Sequence, residues 1–124
     1  MSIDGKHCIL ELYDCPVDLL NDKNFIESLI KDASKIGMST LLNQITHTFE
    51  PQGVTSLALL AESHLSIHTW PELGYAAVDA FTCGEIADPI DCCNFIVKTI
   101  QAGRHNLKVI ARGSEIPNPA PQYV

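Results

Sequence analysis

No apolar run in this 124-residue chain approaches the ~20 residues of a membrane-spanning helix. Basic residues are scarce: eight Lys and Arg stand against fifteen Asp and Glu, for a net charge of −7. Neutralising phosphates takes clustered cations, so nucleic acid is not an expected partner; a cationic small molecule is compatible with this balance. Residues 1–6 contain no apolar signal segment, which leads us to expect a cytoplasmic protein with no membrane attachment. The five cysteines, Cys8, Cys15, Cys83, Cys92 and Cys93, include no Cys-x-x-Cys pair, and their number is odd. Reduced thiols are therefore expected. Repeats, linkers and low-complexity tracts are also missing.

What is present is an apolar, globular composition: 46% hydrophobic residues and a mean hydropathy of +0.10. The length fits one domain spanning residues 1–124. A domain of this size buries about two thirds of its unfolded surface. That supplies one core but no deep, self-contained cleft, so an active site built between subunits is expected.

Residues 7–13 read as a strand ended by Pro16. A helix capped by Asn21 or Asn24 should follow, with Ile26, Leu29, Ile30, Ala33 and Ile36 at helical spacing and Gly37 as terminator. Residues 40–49 are β-branched and alternating, 50–53 form a turn, and 54–60 are a nearly continuous apolar run of strand length. In 64–69, His64, Ser66 and His68 share one strand face, with Leu65 and Ile67 on the other. A turn at 70–74 leads to a strand at 75–81. Asp88-Pro89 starts a second helix whose buried stripe is Ile90, Cys93, Ile96, Val97 and Ile100, ended by Gly103. Residues 107–111 are a last strand, and the proline-bearing tail from Ser114 should be extended and mobile.

The order β-α-β-β, β-β-α-β with short turns predicts antiparallel pairing. Two helices cover one face of such a sheet. The other face, if apolar, needs a partner, and a second protomer stacked sheet to sheet supplies it. The expected fold class is therefore α+β: a two-layer protomer, an antiparallel sheet with two helices on one face, dimerising into a four-layer αββα sandwich.

The chemistry is concentrated in Glu62-Ser63-His64-Leu65-Ser66-Ile67-His68-Thr69-Trp70-Pro71-Glu72 and in residues 75–84, Tyr-Ala-Ala-Val-Asp-Ala-Phe-Thr-Cys-Gly. A serine, two histidines, carboxylates and a thiol can perform nucleophilic and proton-transfer steps in one place. A serine hydroxyl can attack the carbonyl just before it when the backbone is strained, the oxyanion has donors and a base is at hand. The resulting ester breaks by loss of the serine α-proton, and the dehydroalanine so formed hydrolyses to a ketoacyl group and ammonia. Taken singly, these residues also have ordinary roles: a surface or capping serine, a structural strand histidine, a core phenylalanine at Phe49, a turn glutamate at Glu72. His64 and His68 suggest a metal pair, but Ser66 is a poor third ligand, and no metal site is expected.

The two motifs resemble the processing site of the small prokaryotic S-adenosylmethionine decarboxylases. Weaker similarity runs through residues 7–15 and through His47-Thr48-Phe49-Glu50-Pro51-Gln52-Gly53. The resemblance implies cleavage at Glu62-Ser63 into chains 1–62 and 63–124, with a pyruvoyl group derived from Ser63 as the covalent cofactor. Its carbonyl would form a Schiff base with the α-amine of S-adenosylmethionine and act as electron sink for CO2 loss. The family pattern makes His68 the processing base, Cys83 the proton donor, Phe49 the stacking partner of adenine and Glu72 the holder of the ribose hydroxyls. Glu11 and His7 fall in the family-like first strand and line the site. Thr55 stands where the family carries a serine that assists processing; its hydroxyl can still donate to the oxyanion. Trp70-Pro71 reads as a rigid turn that aims Glu72.

Strict alternation puts Ser63 and His68 on opposite faces, so they meet only if the chain bends near Glu62-Ser63. The resemblance also implies a homodimer of cleaved αβ units, with sites at or near the interface and a product used for spermidine synthesis. Three alternatives stay open: an arginine or ornithine decarboxylase of the same pyruvoyl chemistry, a non-catalytic regulatory partner, and a metal-binding module.

Overall fold

The computed structural model describes residues 5–38, 40–83 and 88–115. Its elements are β1 (Gly5–Tyr13), α1 (Val17–Leu20), α2 (Lys23–Ser34), β2 (Leu41–Thr48), β3 (Val54–Leu60), β4 (Ser63–Trp70), a 3-10 turn at Pro71–Leu73, β5 (Tyr75–Cys83), α3 (Pro89–Thr99) and β6 (Arg104–Arg112). The six strands form one sheet in the order β2-β3-β4-β5-β1-β6, and every pairing is antiparallel. No helix among the described residues is long and apolar enough to cross a membrane.

Two-residue periodicity sorts the strands into a helix-covered face and an open face. Leu10 and Leu12 of β1, Ala58 and Leu60 of β3, Leu65 and Ile67 of β4, and Val78 of β5 are fully buried on the first. Against them α2 packs Ile26, Leu29 and Ile30, and α3 packs Cys92, Cys93 and Ile96. The expected α+β architecture is therefore present, with the single-turn α1 as an addition that the apolar spacing did not signal.

Several local expectations are corrected. The α2 cap is Asp22, whose carboxylate accepts from the Phe25 N–H at 3.0 Å, and neither asparagine takes that role. The helix ends at Ser34, before Gly37, and α3 ends at Thr99, where left-handed Gln101 (φ 60°) turns the chain instead of Gly103. At α3 the Asp88 cap and Pro89 stand as expected, but Cys92 is buried while Ile90 and Val97 are half-buried. β6 is longer than expected at both ends. Gly84 and the tail beyond Glu115 lie outside the described residues.

The open face is mixed. It exposes Ile45 (66%), Leu57 (43%) and Leu59 (55%) beside polar side chains of β4 and β5. These apolar residues line a groove with Asn43, His64 and Ser66.

Candidate active site

Ser63 opens β4 immediately after a two-residue turn in which Leu60 pairs with Ser63. The turn forces Glu62 into the left-handed region (φ 61°). A non-glycine residue held there stores about 1–2 kcal/mol of backbone strain. The strained residue is the one whose carbonyl the Ser63 hydroxyl would attack. Ser63 is 8% exposed, and its Oγ makes only a long contact, 3.5 Å, to the Ala61 carbonyl.

From Ser63 onward β4 is a regular strand: Ser63 pairs with Thr82 and the ladder runs unbroken to Trp70–Tyr75. The bend that would unite Ser63 with His68 is confined to the turn itself. Ser63 shares the helix-covered side with Leu65 and Ile67, and His68 stands on the open side. Five residue steps along the strand separate them, roughly 17 Å at the strand rise.

His68 has different company. Its Nδ1 lies 3.0 Å from Thr55 Oγ1 on the neighbouring strand, where the two residues are directly paired. The adjacent Ser56 points to the other face, where it is bound by Thr46 (2.9 Å) and Gln44 (3.1 Å) in a buried polar network. Thr55 and His68 line a cavity of about 370 Å³ together with Phe49, Gly53, Trp70 and Glu72. Two turns supply its walls: residues 49–53 carry Phe49, half exposed, and the 3-10 turn carries Glu72. An aromatic face, a carboxylate and a hydroxyl–imidazole pair suit a ligand with a flat base, vicinal hydroxyls and a proton to exchange.

Trp70 is the residue that sequence reasoning undervalued. It is 40% exposed and faces this cavity, as well as opening the turn that holds Glu72. Its ring lies 6.4 Å from that of His68 and 5.3 Å from that of Tyr75. The alternation that grouped His64, Ser66 and His68 extends to Trp70, and following it two residues further would have placed the indole on the same face.

Cys83 ends β5 on the open face, next to Thr82, and so lies at the Ser63 end of the sheet. It is half-buried, whereas Cys8, Cys15, Cys92 and Cys93 are buried. Burial pushes the Cys15 thiol up to about 11 and the Cys92 thiol to about 12, and raises Cys8 and Cys93 as well. Those four thiols are packing groups that stay protonated.

His7 and Glu11 are on the open face but outside the Phe49–Glu72 cavity. His7 Nε2 is 3.0 Å from Asp79 Oδ1. Glu11 accepts a hydrogen bond from the Tyr75 hydroxyl. Burial, reinforced by Glu11, pushes the Tyr75 phenol up to about 12. No group of three or more His, Cys, Asp or Glu among the described residues is placed to hold a metal ion.

Comparison with known proteins adds an independent line. A family model described as S-adenosylmethionine decarboxylase matches residues 6–113. An S-adenosylmethionine decarboxylase proenzyme of Prochlorococcus marinus (strain MIT 9211) is 56% identical over 112 residues, covering 90% of this chain and 92% of the relative. One from Methanococcus aeolicus is 46% identical, covering 90% and 96%. The crystal structure of the adenosylmethionine decarboxylase from Aquifex aeolicus VF5 superimposes with a TM-score of 0.81 at 32% identity, covering 89% of this chain and 91% of that one.

Proposed function

Because the chain belongs to the S-adenosylmethionine decarboxylase family, we propose that it processes itself at Glu62-Ser63 and uses the resulting pyruvoyl group to decarboxylate S-adenosylmethionine. The activity is that of a carboxy-lyase, releasing CO2 and the decarboxylated nucleoside used in polyamine synthesis. The observation that carries this reading is the family match over residues 6–113, which includes every residue given a role below.

The residues around Ser63 fit a self-made cofactor. Serine is the side chain this chemistry requires, its hydroxyl is weakly engaged, and the preceding residue is strained. Severing Glu62 from Ser63 releases that strain, which favours cleavage over the reverse acyl shift. The pyruvoyl group supplies a carbonyl that withdraws electrons from the substrate's α-carbon as CO2 departs.

The chain's own residues divide the remaining work. Phe49 stacks on the adenine ring and Trp70 adds a second aromatic wall, while the Glu72 carboxylate accepts from the ribose hydroxyls. Cys83 gives its Sγ proton to the α-carbon after decarboxylation. In processing, His68 takes a proton through Nε2. Its Nδ1 is engaged by Thr55, which fixes the ring.

A single protomer separates these groups: Phe49, Thr55, His68, Trp70 and Glu72 gather at one end of β4, Ser63 and Cys83 at the other. We therefore assign the complete site to a two-fold dimer in which open faces stack, covering Ile45, Leu57 and Leu59. In an isologous contact the His68 end of β4 in one chain lies over the Ser63 end of the partner's β4, twice per dimer, and the strained Glu62 turn is what must swing Ser63 from the helix-covered side toward that imidazole. The working unit is then a dimer of cleaved αβ pairs, each pair the single domain 1–124 divided at residue 62, and its location is the cytoplasm.

CO2 release from carboxyl-labelled S-adenosylmethionine, arginine and ornithine, compared on the processed protein, tests the substrate. Preference for either amino acid would overturn the nucleoside assignment.

A further inference from the structure

Both walls of the cavity at Phe49 and Glu72 are held by one short segment, residues 15–21, between β1 and α2. At its start the Cys15 N–H donates to the Gly74 carbonyl at 3.0 Å, tying it to the turn that carries Glu72. At its end the Asn21 side-chain oxygen accepts from the Gly53 N–H at 3.0 Å, tying it to the turn that carries Phe49. Gly53 in turn accepts from the Phe49 N–H at 2.9 Å, so the Asn21 contact is one bond away from the stacking residue. Between these anchors, buried Thr69 donates its hydroxyl to the Leu20 carbonyl at 2.8 Å and accepts from the Val54 N–H at 2.9 Å.

Gly53 cannot be replaced freely to compensate. Its φ of 111° is outside the range of other residues, and an added Cβ would sit 3.3 Å from the Thr69 carbonyl. The turn thus lacks a side chain of its own at this point and is fixed from outside. Asn21 is exposed and leaves the helix cap to Asp22, so its side chain is free for this contact. The single turn α1, whose Val17 carbonyl accepts from the Asn21 N–H at 3.1 Å, sets where the side chain points.

We propose that residues 15–21 act as a clasp that sets the width of the nucleoside cavity, with Asn21 a positioning residue for Phe49. The proposal rests on the reading that this cavity binds the adenosyl part of the substrate. Asn21 does not touch the substrate. It acts by holding the turn in the geometry that stacking requires, so its loss should weaken ground-state binding and leave the chemical step alone.

The test compares Asn21→Ala, Asn21→Asp and Phe49→Ala with the wild type in the processed enzyme. It records KM and kcat for S-adenosylmethionine, the cleaved fraction and the melting midpoint. Loss of one hydrogen bond to a turn predicts a rise in KM of roughly three- to tenfold for Asn21→Ala. Its kcat and cleaved fraction should stay at wild-type values, and Asn21→Asp, which keeps the acceptor, should restore KM. Should Asn21→Ala not fold, Asn21→Ser reads the same contact. A KM unchanged in Asn21→Ala while Phe49→Ala raises it would overturn the clasp and leave the cavity assignment standing. A KM unchanged in Phe49→Ala would overturn the cavity assignment itself. A fall in kcat and melting midpoint without a change in KM would make the segment ordinary scaffold.

Discussion

Thr55 Oγ1 and His68 Nδ1 stand 3.0 Å apart as directly opposed residues of β3 and β4. The contact engages Nδ1, which leaves Nε2 for the proton transfer proposed in processing, and the strand pair accommodates the threonine methyl. The hydroxyl, not the residue's size, is what the geometry uses.

Removing that hydroxyl should therefore slow self-cleavage. One hydrogen bond to a ring that must stay oriented is worth about 1 kcal/mol, so Thr55→Ala should process several-fold more slowly, and Thr55→Ser like the wild type. His68→Ala should stall more completely, at an ester that hydroxylamine cleaves without forming pyruvoyl. Time courses of intact mass during incubation check all three. A Thr55→Ala chain that processes at the wild-type rate would show that the contact is only structural.

The separation of Ser63 from His68 along one straight strand makes a prediction about mixed dimers. Ser63→Ala cannot be cleaved because it lacks the nucleophile; His68→Ala lacks the base. If the base acts across the dimer, co-producing the two with different tags should restore cleavage of the His68→Ala chain alone, since the other chain supplies an intact His68. Mass analysis of dimers purified through both tags reads the outcome. Mixed dimers that leave the His68→Ala chain whole would place the base within its own protomer.

Much of the fold was legible where the strands alternate. Leu65 and Ile67 against His64 and His68 define both faces of β4 without any tertiary information. The helix caps were less so: Asp22 and Asn21 are neighbours with equal capping chemistry, and only the position of Gly53 decides which one leaves for the turn. The site was readable as a set of residue types, but not as two half-sites. That division follows from strand length, and a pattern of spacings in a line does not reveal that six residues of β4 span most of the sheet. His7 and Glu11 illustrate the same limit. Both lie on the open face, yet their register opposite Phe81 and Ala77 leaves their side chains bonded to Asp79 and Tyr75 instead of lining the cavity.

The thiols should fall into two groups. Burial raises the Cys8, Cys15, Cys92 and Cys93 thiols above their ordinary value of 9.0, so iodoacetamide at neutral pH should label half-buried Cys83 first. Cys83→Ala should still cleave but should decarboxylate poorly or misplace the proton; turnover equal to wild type would remove its donor role. The same burial links stability to alkaline pH. A group whose folded pKa is raised contributes stability that is complete below its unfolded value and is lost as pH rises through the folded one. For Cys15 that window runs from 9.0 to about 11, and for Tyr75 from 10.0 to about 12. Denaturant midpoints should hold steady up to the lower edge of this range and fall above it. Midpoints that rise with alkalinity would contradict the assignment.

The cavity at Phe49 and Glu72 contains the chain's single tryptophan, Trp70, so intrinsic fluorescence should report its occupancy directly. Adding S-adenosylmethionine to the processed enzyme should change Trp70 emission saturably, because the adenine displaces water from an indole that is 40% exposed. Stacking a base on an aromatic ring is worth roughly 1–3 kcal/mol, so Phe49→Ala should shift the titration midpoint by about ten- to a hundredfold. Glu72→Gln should shift it as well, since two ribose hydroxyls would then face a neutral amide in place of a carboxylate. Arginine and ornithine carry neither base nor ribose, and they should leave the emission unchanged. A wild-type response to either amino acid as large as that to S-adenosylmethionine would mean that the cavity recognises the amino-acid end of the substrate, and Phe49 and Glu72 would need other roles.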